Sequence, residues 1–358
     1  MNEQHDAFRR LRVLIIGAGR RVQGNFLPVL KTLDRQFEIV GVHSRTYERL
    51  KPVADSWQVP AVQRLEDLDL GSVDVVAISV PTAQNGVVLR KLLGHAGHLS
   101  VVVDTPIAWT RPEYAENSAL LARFKQAAVA EDYMNFPTFA LAREAVKQGW
   151  IGEPRALTLN CTGFLYHGLA LIRSFVDFEP VVRTWTRSVG DTSRMVGYRF
   201  SNGFEAVVIK PYRSHTAGGL MLEGSSGIVS EFPIDHQMGN GKRKVHLLKL
   251  LRDEGGLTGC ALEGPDGTLR SQPPELVQMR AMPINTEDLN LLRGCGLATI
   301  FRSLIEADGL NSRYGVRNGF YDAFISRLVE KGRLPYDPFT LFGRTAMTAL
   351  GWVSHARA

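Results

Sequence analysis

Apolar residues in the first third of the chain fall into short runs of strand length, rich in β-branched side chains. Val13–Ile16, Phe37–His43, Val73–Val80, Ser100–Asp104 and Ala127–Ala130 are the runs. Between them lie segments that read as helices: Arg20 to about Leu33, Thr46–Trp57, Asn85–Leu93 and Pro112–Gln126. Val59-Pro60, Pro81 and Pro106 punctuate the units. Strands alternating with single helices predict a parallel sheet with helices on both faces. Past Pro137 the pattern changes. Thr138–Gln148 reads as a helix stopped by Gly149. Extended, alternating runs follow: Arg155–Cys161, Val181–Ser188, Met195–Phe200, Glu205–Lys210, Gly219–Glu223, Gly227–Glu231 and Lys244–Leu250. Turn signals such as Asn202-Gly203 and Gly224-Ser225-Ser226-Gly227 separate several of them. These runs predict a mostly antiparallel sheet with one broad face open to solvent or to another subunit. Thr286–Ala307, Gly315–Glu330 and Phe339–Trp352 read as helices.

The first strand ends in Gly17-Ala18-Gly19 and a helix-compatible segment follows at once. Strand, tight glycine turn, helix is the order needed to hold a pyrophosphate. Gly17 permits the sharp turn, and Gly19 leaves room for phosphates at the N–H groups of the next helix. The third glycine of such turns is missing. Val22 stands in its place and Gly24 is out of register. Ligands on a sheet of this kind bind at the carboxyl ends of the strands, where Gly17, Ser44, Pro81 and Asp104 fall. The expected fold class is therefore an α/β Rossmann dinucleotide-binding domain, residues 1–136, followed by an α+β substrate-binding and oligomerisation domain, residues 137–358.

The chain has 358 residues, 44% hydrophobic and 22% charged, with a formal charge of +6. That is ordinary globular composition and ample for two cores. Basic clusters at Arg9-Arg10, Arg20-Arg21 and Lys242-Arg243-Lys244 lack interleaved aromatics, so they read as solvated surface rather than a nucleic-acid patch. The charge balance suits an anionic small ligand. Cys161, Cys260 and Cys295 are widely spaced, without a C-x-x-C pair or a disulfide framework. They point to a reducing, cytoplasmic setting. No run approaches a membrane span, and the first apolar run reads as a strand rather than a signal peptide. His95 and His98 have metal-like spacing but no third ligand nearby, so no metal site is expected.

Several segments together resemble the Gfo/Idh/MocA oxidoreductases, the group of glucose-fructose oxidoreductases and inositol dehydrogenases. Gly17-Ala18-Gly19 with Phe26-Leu27-Pro28-Val29-Leu30 is similar to that family's glycine turn and following helix. Val73–Thr82 is similar to its fourth strand and turn, which implies that Val80 and Pro81 border the cofactor. Val101-Val102-Val103-Asp104-Thr105-Pro106 stands where the family writes a strand and Glu-Lys-Pro. Gly149-Trp150-Ile151-Gly152-Glu153-Pro154 resembles its entry to the second domain. The resemblance implies a nicotinamide cofactor, a small-molecule substrate and subunits paired through the open sheet. It also exposes departures. Thr105 replaces the lysine that the family sets beside nicotinamide and substrate. Where the family has D-x-G-x-H-x-x-D, this chain has Tyr166-His167-Gly168-Leu169-Ala170-Leu171-Ile172-Arg173. The first acid becomes Tyr166, the basic histidine Ala170 and the last acid Arg173.

The end of the second strand sets the ribose preference. An acid there binds the 2′-hydroxyl of NAD, and an arginine accommodates the 2′-phosphate of NADP. Val42-His43-Ser44-Arg45-Thr46 offers no acid. Ser44 and Arg45 predict NADP(H), with NAD(H) as the other option, and the plain alternative for Arg45 is a surface arginine. The expected cofactor set is Gly17, Gly19, Arg20, Arg21, Ser44, Arg45, Val80, Pro81, Asp104 and Thr105. Candidates for proton transfer are Tyr166 and His167, on the segment that faces nicotinamide in the family, with Tyr133 after the last Rossmann strand and Asp104. Each also has a structural reading, as a core tyrosine, a core histidine or a turn-capping acid. Two functions remain open at this level. One is a reductase of a C=N, C=C or carbonyl group, which needs only a proton donor. The other is a non-catalytic nucleotide-binding sensor or partner protein.

Overall fold

The computed structural model describes residues 9–211, 219–234, 243–306 and 309–330. The expected helix Phe339–Trp352 lies outside them, as do Lys242 and Ala307. Strands β1 (Leu11–Ile16), β2 (Phe37–His43), β3 (Ala61–Val62), β4 (Val75–Ile78), β5 (Ser100–Asp104) and β6 (Gln126–Ala130) form one sheet in the order 3-2-1-4-5-6. Every pairing in it is parallel. Val13, Leu14 and Ile15, Val76 and Ala77, and Val101 and Val102 are wholly buried. Unbroken apolar strands are what a sheet covered on both faces requires. The strand order reverses between β1 and β4, which opens a crevice at their carboxyl ends.

The first helix departs from the regular one expected. A π-type turn, Val22–Phe26, precedes the α-helix Leu27–Thr32. Pro28 has no N–H to donate and its ring crowds the carbonyl four residues back, so the turn widens there. The helix expected over 112–126 is Arg111–Leu121, started by a Thr110–Glu113 capping box.

The chain divides into two compact units. One comprises the described parts of Met1–Glu131, Pro274–Thr286 and Arg293–Arg317, the other those of Asp132–Pro273, Glu287–Leu292 and Asn318–Ala358. A single division after residue 136 leaves out this return of the later segments to the first unit. The return is held by apolar packing: Phe301 meets Phe26 and Phe37 edge-on, at centroid distances of 6.0 and 5.7 Å. Arg302, next to Phe301 in sequence, pairs with the buried Glu275.

The second unit carries β7 (Pro154–Asn160), β8 (Val181–Val189), β9 (Ser193–Phe200), β10 (Glu205–Lys210), β11 (Leu220–Gly224), β12 (Gly227–Ser230), β13 (Lys244–Asp253), β14 (Gly256–Gly264) and β15 (Gly267–Ser271). Their order is 15-14-13-12-11-7-10-9-8. The sheet is mostly antiparallel, with β7–β10 and β12–β13 parallel. Strands β14 and β15 were not expected from the sequence. At Gly259 an added Cβ would lie 2.4 Å from the Ser271 carbonyl oxygen, so close backbone approach, not alternating burial, fixes that residue. On the outer strand β8, Trp185 and Val189 are 43% and 46% exposed. The indole of Trp185 lies over Gly197 on β9. Among the described residues, no helix is long and apolar enough to cross a membrane.

Candidate cofactor-binding site

The turn after β1 is built by close approach. Gly17 sits at φ +130°, and a Cβ there would lie 2.1 Å from the Ser79 carbonyl oxygen. Its N–H donates to the His43 carbonyl at 2.8 Å, and the Ser79 N–H donates to the Ile16 carbonyl at 2.9 Å. The turn is thus pinned between the ends of β2 and β4. Gly19, by contrast, faces open space. A cleft of about 450 Å³ opens above it. It is lined by the expected Gly17, Gly19, Arg20, Arg21, Ser44, Arg45, Val80 and Pro81, and also by Thr46, Arg49, Ser79, Gln84 and Lys91.

Among the described residues, no carboxylate lines this cleft, whereas Arg20, Arg21, Arg45, Arg49 and Lys91 all do. Among the described residues, Arg20, Arg49 and Lys91 make no ion pair. Arg45 donates from Nη1 to the neutral Gln84 Oε1 at 3.2 Å. The helix Tyr47–Trp57 starts at the same end, and its N-cap residue Thr46 makes no side-chain capping bond. Cations beside an uncapped helix start are features that favour an anion. Arg49 and Lys91 were missed in the sequence. Arg49 carried a signal, being one helical turn past Arg45 on the helix that β2 feeds. Lys91 had none, because the fold brings it in from the end of another helix.

Arg21 differs from the other four. Its Nε lies 3.3 Å from Asp104 Oδ1, Nη1 donates to Asn25 Oδ1 at 2.9 Å, and the guanidinium sits 5.5 Å from the Phe26 ring centroid. Asp104, at the end of β5, accepts two further bonds, from Ser79 Oγ at 2.8 Å and from the Thr105 N–H at 3.1 Å. One carboxylate therefore joins the chain ends after β1, β4 and β5. Thr105 and Pro106 are linked by a cis peptide.

Three of the four proton-transfer candidates come together in the second unit, while Asp104 belongs to the first. The His167 ring stacks on Tyr133, with centroids 4.7 Å apart and planes 16° apart, and meets Tyr166 at 4.3 Å. All three are buried. Tyr166 and His167 open the helix Tyr166–Ser174, entered through Leu165 at φ +46°. Asp132 is also buried and offers an oxygen within 4.8 Å of a His167 ring nitrogen; its chain neighbour Glu131 is fully buried too. His95 and His98 meet only edge-on, and His98 Nε2 lies 3.1 Å from the Leu70 carbonyl oxygen.

Residues 11–133 match the model of an oxidoreductase family with an NAD-binding Rossmann fold, Gfo/Idh/MocA. Over this segment the chain is similar to the Gfo/Idh/MocA oxidoreductases. No curated protein sequence matches the chain. The whole fold is nonetheless shared with solved structures. A myo-inositol dehydrogenase from Corynebacterium glutamicum is 15% identical, with a TM-score of 0.63 over 90% of this chain and 96% of that one. A 3-ketoreductase from Actinomadura kijaniata, solved with NADP, is 14% identical, with a TM-score of 0.58 over 90% and 98%. A levoglucosan dehydrogenase solved with NADH and levoglucosan is 13% identical, with a TM-score of 0.64 over 91% and 97%.

The positions at which the sequence departs from the pattern it resembles are occupied as follows. Thr105 carries no titratable group and adjoins the cis peptide. Ala170 is wholly buried. Arg173 is spent on structure: Nη1 pairs with Asp322 Oδ1 at 2.8 Å, Nη2 donates to Asn318 Oδ1 at 2.9 Å and Nε donates to the Glu179 carbonyl at 3.0 Å.

Proposed function

We propose that the chain is an NADP(H)-dependent oxidoreductase that reduces a C=N, C=C or carbonyl group of a small molecule. The observation that carries the reading is the cleft at the ends of β1, β2 and β4, lined among the described residues by Arg20, Arg45, Arg49 and Lys91, with Arg21 paired to Asp104, and by no carboxylate. Gly17 and Gly19 fit a dinucleotide, since a side chain at Gly17 would strike Ser79 and space above Gly19 is open. Ser44 and Arg45, with Arg49 beside them, would hold a 2′-phosphate, and Arg20 the pyrophosphate. A nicotinamide group bound there supplies a hydride.

The protein's share is position and proton supply. Oxidising a secondary alcohol needs a base to take the hydroxyl proton. Thr105 and Ala170 have no side chain able to do so, and the Arg173 guanidinium is engaged by Asp322. In their place the proton of the reduction would come from Tyr166, His167 or Tyr133, gathered in one stack, and the same group would take it back in the reverse direction. The open face around Trp185 and Val189 supports a homodimer, and the three unbridged cysteines suit a reducing, cytoplasmic setting.

The cofactor reading is tested by fluorescence titration with NADPH and NADH. Hydrogen bonds to charged groups contribute about 1.5–3 kcal/mol, so Arg45→Ala should weaken NADPH about 10–150-fold and leave NADH nearly unchanged. Tighter binding of NADH by the wild type, or an Arg45→Ala variant with an unaltered NADPH affinity, contradicts the assignment.

A further inference from the structure

We infer that Asp104 is a positioning residue for dinucleotide binding: it braces the phosphate turn through Arg21 and Ser79 and does not itself touch the ligand. The inference rests on the cofactor reading above and concerns how the turn is held.

The geometry separates Arg21 from its neighbours in the cleft. Among the described residues, Arg20, Arg45, Arg49 and Lys91 make no ion pair with a carboxylate, whereas Arg21 is matched by Asp104, with both side chains only 16% exposed. An arginine paired with a carboxylate brings no net charge to an incoming phosphate. What it brings is rigidity. Its guanidinium is held from three sides, by Asp104, by Asn25 Oδ1 and by the Phe26 ring. Arg21 and Asn25 belong to the segment that leaves the phosphate turn, so this pairing fixes that segment against the end of β5.

The second arm runs through Ser79. Its hydroxyl donates to Asp104 Oδ2 at 2.8 Å. The same residue's carbonyl oxygen is the atom against which Gly17 packs without a Cβ, and its N–H donates to Ile16. Asp104 thereby holds the wall that the glycine turn rests on. The third bond, from the Thr105 N–H, directs the carboxylate by its own backbone. Three donors arranged around one carboxylate leave it little capacity to accept from a ligand, since an ionised carboxylate has about four lone-pair sites. Preorganising groups that hold a site in its binding geometry raises affinity without adding a contact.

The sign of the effect distinguishes a brace from a mere counter-charge. Were Asp104 only neutralising Arg21, its removal would present another cation to the phosphates and tighten binding. For a brace, removal loosens the turn and weakens binding. It does so equally for both cofactors, because the pyrophosphate turn is common to them.

The experiment measures NADPH and NADH dissociation constants and the apo melting temperature for the full chain, Asp104→Ala, Asp104→Asn and Arg21→Met. The expected result is about a tenfold loss for both cofactors in Asp104→Ala, with the NADPH-to-NADH ratio unchanged. Asp104→Asn keeps an acceptor for Ser79 and should fall between Asp104→Ala and the wild type. Arg21→Met removes one arm only and serves if the Asp104 variants fail to fold; it should weaken both cofactors by a similar factor. Tighter binding in Asp104→Ala overturns the inference. So does a lower melting temperature with both dissociation constants within twofold of wild type, or a changed cofactor ratio. A wild-type chain that binds neither cofactor refutes the cofactor reading itself, a different outcome from all of these.

Discussion

Breaking the Arg173–Asp322 pair should unfold the second unit at markedly lower temperature. The two side chains are 3% and 0% exposed, and the Nη1 to Oδ1 distance is 2.8 Å. Arg173 also donates to the carbonyls of Phe178 and Glu179 and to Asn318, and its guanidinium lies 4.1 Å from the Tyr321 ring centroid. Asp177 and Phe178 both have positive φ, at 52° and 60°, so the carbonyl that Arg173 ties down belongs to an unfavourable stretch of backbone. In Arg173→Met the Asp322 carboxylate stays buried without its cation. Removing one partner of a buried pair costs about 3–5 kcal/mol. For a unit of roughly 150–250 residues, each 1 kcal/mol moves the melting temperature by about 2–4 °C, so a fall of about 6–20 °C is expected. Double replacement, Arg173→Met with Asp322→Leu, removes both charges and should recover at least about 1 kcal/mol relative to the sum of the single changes. The assay is thermal unfolding of the four proteins at one pH. An Arg173→Met midpoint within 2 °C of wild type, by the scale above, would refute the argument. Strict additivity of the two single changes would refute it equally.

Two further outcomes follow from other parts of the second unit. His246 is wholly buried and stacked on Trp150 at 5.1 Å, and burial lowers its pKa, only partly opposed by Asp266. The unfolded chain therefore takes up that proton first, so stability is full above about pH 6.5 and is lost as pH falls through the interval below it. Urea midpoints at pH 7.5 and 5.5 should differ more in the wild type than in His246→Gln, and equal differences would dismiss this account. On the open face, a Trp185→Glu change places a charge on the exposed part of β8 and should shift a dimer toward monomer in sedimentation at micromolar concentration. A wild type already monomeric there would remove the proposed pairing.

How much of this was legible in the sequence depends on how local each feature is. The parallel strands were readable because burial on both faces makes each a continuous apolar run, as in Val13–Ile16 and Val101–Val103. Strands β14 and β15 were not, since Gly256, Gly259, Gly264 and Gly267 interrupt any alternation. At Gly264 the reason is again steric: a Cβ would lie 2.1 Å from His246 Nδ1, a residue eighteen positions earlier. The widened turn at Val22–Phe26 had its cause in view at Pro28, yet proline at the start of a helix is equally compatible with a regular one.

The same distinction separates the two halves of the candidate site. A phosphate turn is local chemistry: three consecutive residues set its shape, and the neighbouring strand ends add their groups in short contiguous pieces such as Ser44-Arg45 and Val80-Pro81. Seven residues in three short pieces can therefore announce a cofactor. Asp104 was visible as a residue at a strand end, but its partners are not. Ser79 lies 25 residues before it and Arg21 lies 83 before, and only the 3-2-1-4-5-6 strand order sets those three chain ends side by side. Arg173 is a stronger case. In sequence it reads as a lost catalytic acid, a statement about what the helix lacks. Its partner is 149 residues away, and with that partner in place the same position becomes an ion pair that anchors the helix bearing Tyr166 and His167. A substitution inside a functional pattern thus cannot be read as loss until the long-range partner is known, because the residue that ends one role can begin another.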